Sequence, residues 1–414
     1  MASDVEAAQP AAGPRAALSL IGSRRFGPYF VGNASSASGT WFQNLAAQLL
    51  VYRLTHSPFL LGLLNFCNFI PVLALAPWAG SAADRFDRRR LLIVTQLVAT
   101  ILSGTLAVLA WNGVADEWVV IGFALGLGVS SAYSAPASTA FISQLVERDE
   151  LPSAVALNSM TFNIARAVGP VLAAVSVKAL GIPASFAINA ASYVIFIWAL
   201  AIVEPRPVAP AKRGEARLRE SLALVRRTPR LLVFLLIVAA VGFASDPVNT
   251  EAPALARAFG YHDTVAGWII GAFGFGAVGA AFLVAGRVAG SRRRMIATLS
   301  GLGCGMIGLA LSPWLALAFL FLVLAGFGYL ASNTHATSRL QLEVEESLRG
   351  RIMALWSVAF LGLRPIASLL DGAIAGAFGV RAAAVCLAVP ALAMAGVVRL
   401  RASKSPQIAT SASP

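Results

Sequence analysis

From Met295 to Ser338 the chain contains no Asp, Glu, Lys or Arg. One helix crosses a bilayer with roughly 20 apolar residues. The run is therefore too long for a single span, and only Ser312 and Pro313 can divide it. Runs of this kind recur along the chain, which is 58% apolar and 12% charged, against roughly half and a quarter in soluble domains. An ordinary soluble enzyme and a disordered chain are excluded, and three Cys cannot form a disulfide framework. The expected class is an all-α polytopic membrane protein.

Twelve transmembrane helices follow from the apolar segments, in two groups of six. The first six lie at about Gly27 to Tyr52, Phe59 to Ala82, Leu91 to Trp111, Trp118 to Gln144, Ser153 to Leu180 and Ser185 to Val203. The second six lie at about Leu231 to Ala254, Thr264 to Gly286, Met295 to Leu311, Trp314 to Arg339, Ile352 to Phe378 and Ala382 to Leu400. The domain reading is a tail (1–26), a six-helix bundle (27–203), a linker (204–230), a second bundle (231–400) and a tail (401–414). Leu218, Leu222 and Val225 share one face of the linker among arginines, as in a helix lying on a membrane surface. A solvated charged linker is the alternative.

Basic residues in short loops set orientation. Arg24 and Arg25, Arg85 to Arg90, the linker cations, Arg292 to Arg294 and Arg399 to Lys404 fall on one side, leaving only Arg53, Lys178, Arg257 and Arg381 on the other. Both termini are expected in the cytoplasm, and no basic stretch at Met1 to Ala12 suggests a cleaved signal.

A shift of 198 positions aligns Val146-Glu147 with Val344-Glu345, Ser159 with Ser357, Phe162 with Phe360 and Arg166 with Arg364. Parallel repeats of six helices are a transporter signature.

Between the second and third spans stands Gly80-Ser-Ala-Ala-Asp84-Arg85-Phe-Asp87-Arg88-Arg89-Arg90. It resembles the G-x-x-x-D-R-x-G-R-[RK] loop of the major facilitator superfamily, with Asp87 in place of the second glycine. The resemblance implies two pseudo-symmetric six-helix bundles, a glycine at a close helix contact, and a cytoplasmic latch in which Asp84 and Arg88 pair, with Arg85 and Arg89 beside them. A stop-transfer loop is the plainer reading. The corresponding Gly286 to Arg294 stretch has Gly290 where the first has Asp84.

Gly169-Pro170, followed by Ala173-Ala174, is similar to the fifth-span element of the superfamily's antiporters; close packing and a proline bend explain it equally. Trp41-Phe-Gln43, Phe26-Gly-Pro-Tyr29 and Asp246-Pro247-Val-Asn249 look like the twelve-helix branch of siderophore and macrolide exporters. That resemblance implies proton-coupled efflux of a small amphiphilic molecule from a monomer in the bacterial inner membrane, with membrane lipids as surroundings.

Intramembrane charges normally face a cavity or a partner. Asp246 is the first candidate for coupling and Glu251 the second, although Glu251 also reads as a wet residue at the outer mouth. Pro247 is expected to break the helix, so that Asp246 either serves the site or caps the following fragment. Arg166 and Arg364 lie near mid-membrane, either as structural ion pairs or as an anion site, and Asp371 follows Arg364 by seven residues, on nearly the same helical face about 10 Å along. Asn33, Trp41, Gln43, Asn65, Asn68, Asn333 and His335 are candidates for a substrate cavity, each also explicable as an interhelical hydrogen-bond partner.

No Lys follows Gly as a Walker A loop requires, and three scattered His offer no metal spacing, so neither cofactor, metal nor nucleic acid is expected. The G-x-G-x-x-G matches at Gly274 to Gly279 and Gly303 to Gly308 lie in apolar helices and read as packing glycines. The alternatives to export are uptake of an organic anion by symport and, from another class, a membrane-embedded enzyme or sensor.

Overall fold

The computed structural model describes residues 19–147, 149–206, 225, 228–284 and 291–403. Within these, all regular structure is helical. Leu218, Leu222 and the Gly286 to Gly290 stretch lie outside the described residues; Val225 is buried against Leu231, Leu235 and Leu340.

Ten helices are long and apolar enough to cross a membrane, or eleven when the bent pair Pro58–Ala74 and Ala76–Arg85 is taken as one span. The pair turns by 54°. This differs from the expected twelve at the first span. Helix Phe26–Thr55 has 30 residues, about 45 Å at 1.5 Å per residue, which is ample length. Its composition sets it apart, because Asn33, Ser36, Thr40, Gln43, Asn44 and Gln48 all fall within it. The division at Ser312 and Pro313 is observed, between helices Arg292–Leu311 and Leu315–Leu342.

The chain forms two compact units, one from residues 1–54 and 67–213, the other from residues 55–66 and 214–414. The start of helix Pro58–Ala74 thus groups with the second unit, where Gly62 packs on the backbone of Ser368 and Gly372.

In the first unit, helix Arg88–Trp111 packs on Glu117–Ile142 and Ile182–Ile202. Their common core holds Phe26, Tyr29, Phe141 and Phe196, with the Tyr29 ring 5.7 Å from each of the last two. Asp87 and Asp116 cap two of these helices, accepting from the backbone N–H of Arg90 and Val119 at 2.7 Å. Polar side chains on the first helix are tied inward: Asn189 Nδ2 donates to Gln43 Oε1 at 2.7 Å, both residues being buried. Replacing Asn189 with Leu leaves the Gln43 carbonyl without its donor. The expected result is a loss of about 1 kcal/mol of stability, read as a lowered thermal unfolding temperature in lipid.

In the second unit, helix Leu315–Leu342 packs on Ala266–Val284 and on Arg292–Leu311, and Pro229–Thr250 packs on Val380–Ser403. Glycines permit these approaches. A Cβ on Gly276 would strike the Val323 carbonyl, and one on Gly326 the Phe273 carbonyl. Gly303, Gly305 and Gly308 similarly meet Leu392, Ala325 and Phe321, as packing glycines should, while Gly279 faces open space.

Two glycines expose the internal repeat in the backbone itself. Gly181 (φ 84°) joins Leu151–Leu180 to Ile182–Ile202, and Gly379 (φ 88°) joins Arg364–Phe378 to Val380–Ser403. Their numbers differ by the same 198 that relates Arg166 to Arg364. A left-handed joint favours Gly because other residues pay a steric cost there. The copies differ in one respect: Leu151–Leu180 is a continuous helix, whereas Val358–Gly362 forms a π-helical turn just before Arg364.

Candidate functional site

Helix Pro229–Thr250 continues through Pro247, with Glu251 N–H donating to the Pro247 carbonyl at 3.0 Å. The expected break at Pro247 therefore falls four residues later, at Glu251, after which Ala252–Ala258 begins. Proline lacks only its own N–H donor, and close packing around this segment sustains the helix past it. Asp246 is consequently mid-helix and does not cap a fragment starting at Pro247. Its carboxylate accepts from Thr250 Oγ1 at 2.9 Å and from Ser368 Oγ at 3.3 Å. The single Ser368 proton is shared with the Arg364 carbonyl, 2.9 Å away one turn back in the same helix, so the Asp246 contact is what ties helix Arg364–Phe378 to Pro229–Thr250.

Glu251 is not a wet residue at the mouth. It is 0% exposed, as is Asp371, and neither carboxylate has a hydrogen-bond partner among the described residues. Asp371 and Asp246 both act electrostatically on Glu251, and Asp246 on Asp371. Three acids therefore converge inside one unit. Two of them lack donors, a costly arrangement for ionised groups. Thr250 and Ser368 escaped the sequence reading, since hydroxyl residues are common in membrane helices; Ser368 was legible only as lying between Arg364 and Asp371 on one helical face.

The two arginines are each 9% exposed. The Arg166 guanidinium lies 5.7 Å from the Trp41 ring centre, and Trp41 in turn meets Phe162 edge-on at 5.9 Å. Gly169 packs directly on Trp41, with a Cβ there falling 2.8 Å from that of Trp41. Pro170 lies within the same uninterrupted helix.

The remaining polar candidates are dispersed. Asn33 Nδ2 donates to Asn158 Oδ1 at 2.8 Å, beside a cavity of about 260 Å³ in the first unit. Gln43 is bonded to Asn189 and is not among the residues lining that cavity, Asn65 donates to the Leu61 carbonyl at 3.2 Å, and the backbone carbonyl of Asn68 packs on Gly128. Asn333 and His335 each have one buried side-chain atom, Oδ1 and Nδ1, without a hydrogen bond.

In the loop resembling the latch, Asp84 and Arg85 are exposed at the end of Ala76–Arg85. Arg88 donates to the Ala140 carbonyl at 3.2 Å, and Arg89 donates to the carbonyls of Leu200 and Ala201. No Asp84–Arg88 ion pair forms among the described residues. Gly80 is not at a close helix contact, since a Cβ there would meet nothing within 4 Å.

A family described as transmembrane secretion effector matches residues 16–413, nearly the whole chain. The chain belongs to that family, within the major facilitator superfamily. The chain is 31% identical over 160 residues to the staphyloferrin A transporter of Staphylococcus aureus, covering 38% of this chain and 40% of that one. It is 24% identical over 345 residues to the multidrug efflux pump Tap of Mycolicibacterium fortuitum, covering 80% and 83%. For the first relatives matched, the chain thus spans less than two thirds of their length. The fold is that of a bacterial homologue of the human lysosomal transporter Spinster, solved inward-facing and occupied, with a TM-score of 0.73 at 15% identity over 91% of this chain and 96% of the homologue. Family and relatives are transporters, not enzymes.

Proposed function

We propose that this protein is a monomeric proton-coupled exporter of a small amphiphilic molecule, such as a drug or siderophore, across the bacterial cytoplasmic membrane, with both termini in the cytoplasm. The observation that carries this reading is the pair of fully buried, donor-free carboxylates of Glu251 and Asp371 beside Asp246. A proton on such a group removes the charge that burial penalises. Its departure leaves mutually repelling acids and favours an arrangement in which water reaches them. Glu251 stands at the joint between two helices, where a change in local charge acts on the helix break itself. Asp246, held by two hydroxyls and adjoining Arg364's helix, links that joint to Arg364–Phe378. Asp84 and Arg88 serve as a latch in another state of the cycle, since in this one Arg88 is engaged with Ala140.

The test is the pH change inside proteoliposomes or everted vesicles on adding cationic, neutral and anionic amphiphiles. Substrate-dependent proton release supports antiport. Net uptake of substrate into right-side-out vesicles, driven by a proton gradient with the outside acid, would instead identify symport of an organic anion, with Arg166 and Arg364 as its anchors.

A further inference from the structure

The first unit contains a cavity of about 260 Å³ between helices Phe26–Thr55, Arg88–Trp111, Glu117–Ile142, Leu151–Leu180 and Ile182–Ile202. Among its lining residues there is no Asp, Glu, Lys, Arg or His. The wall combines amides and hydroxyls with the rings of Phe162, Tyr193 and Phe196 and with aliphatic side chains such as Leu92 and Leu127. Several of these polar groups hold one another in place. Asn33 donates to Asn158, Ser36 Oγ donates to Gln96 Oε1 at 3.2 Å, and the hydroxyls of Thr40 and Tyr193 are 3.1 Å apart.

These bonds leave donors unused. Gln96 is 7% exposed, its Oε1 is occupied by Ser36, and its Nε2 has no partner among the described residues. The half-buried Asn158 also accepts through Oδ1 while its Nδ2 makes no bond among the described residues, and Ser131, an exposed residue of the lining, adds a hydroxyl with no partner there. An amide donor held in place beside an open cavity, where water would otherwise meet it, points to an oxygen-bearing occupant. Without a counter-charge, an ionised ligand would be poorly compensated there. Neutral hydroxyl groups can both donate and accept, and an aromatic face suits the apolar side of a ring. The volume falls just below the roughly 300–1,000 Å³ of pockets for whole drug-sized ligands. The cavity therefore fits one moiety of a larger molecule.

We infer that this cavity is a binding subsite for an uncharged, hydroxyl-rich ring, such as a sugar-like moiety of an amphiphilic solute. The inference extends the exporter reading by giving its ligand a chemical class. It is tested with the full-length chain in lipid nanodiscs free of glycosidic detergent, by equilibrium dialysis of p-nitrophenyl β-D-glucopyranoside and of p-nitrophenyl β-D-glucuronide, a size-matched pair differing by one carboxylate. Saturable binding of the glucoside is expected, with the glucuronide at least tenfold weaker. Ser131→Leu, which fills the cavity, and Gln96→Leu, which removes the amide donor, are each expected to weaken glucoside binding at least tenfold with the unfolding temperature near that of the parent. Equal binding of the two probes, no saturable glucoside binding, or undiminished binding in both folded variants would overturn the subsite. Proton flux with other amphiphiles but no glucoside binding removes the subsite and leaves the exporter. Glucoside binding, with no proton movement for any compound, leaves the subsite and removes proton exchange.

Discussion

Glu251→Gln is expected to reduce substrate-driven proton flux in proteoliposomes at least tenfold while leaving the protein as stable as the parent or more so. The amide keeps the volume and removes the ionisable proton. Because the native carboxylate is fully buried without a hydrogen-bond partner and lies within the field of Asp371 and Asp246, its neutralisation relieves repulsion and breaks no pairing. A residue kept only for packing would show the opposite pattern, with normal flux or a lowered unfolding temperature. Asp371→Asn is expected to behave alike. Since the three acids act on one another, a double variant should lose little beyond either single one. Asp246→Asn differs, because this side chain accepts from Thr250 and Ser368. It should lose coupling together with some stability. Flux at parental levels in all three variants would remove proton coupling from this cluster.

The second large effect concerns folding. Gly326→Leu forces a branched side chain into the Phe273 carbonyl at the point where Leu315–Leu342 crosses Ala266–Val284. Overpacking costs about 1–3 kcal/mol where neighbours can yield. Here the obstacle is backbone on a facing helix whose own Gly276 is equally tight against Val323. Little monodisperse protein is expected from purification in detergent, whereas Gly279→Ala, facing open space, should yield as much as the parent. Comparable yields and unfolding temperatures for both variants would contradict the close crossing.

What could be read in advance followed the physical contrast of each feature with its surroundings. Long apolar runs announce helices in lipid, and an acid within one stands out, which made Asp246 visible. The 198-residue repeat was legible through Arg166 and Arg364, and the backbone adds Gly181 and Gly379 at the same offset. Glu251 was misjudged because its place near a span's end suggests water. Only the buried helix Ala252–Ala258 that follows it reveals the burial. Gln43 and Asn189 are 146 positions apart, and nothing local pairs them. The first helix was counted as an ordinary span although its many amides and hydroxyls set it apart; those same residues, Asn33, Ser36 and Thr40, line the uncharged cavity.

Among the described residues, every buried carboxylate, imidazole or guanidinium apart from Arg166 belongs to the second unit: Asp246, Glu251, Asp263, His335, Arg364 and Asp371. The cavity of the first unit carries no charge. A neutral solute leaving as one proton enters transfers a net positive charge inward on each turnover. The cycle would then be electrogenic and would draw on membrane voltage, at about 2.3 kcal/mol per charge for each 100 mV, even when no pH difference exists. A potassium diffusion potential set up with valinomycin, negative on the side where the proton arrives, should accelerate such exchange, and valinomycin with equal potassium on both sides should slow export without altering solute binding.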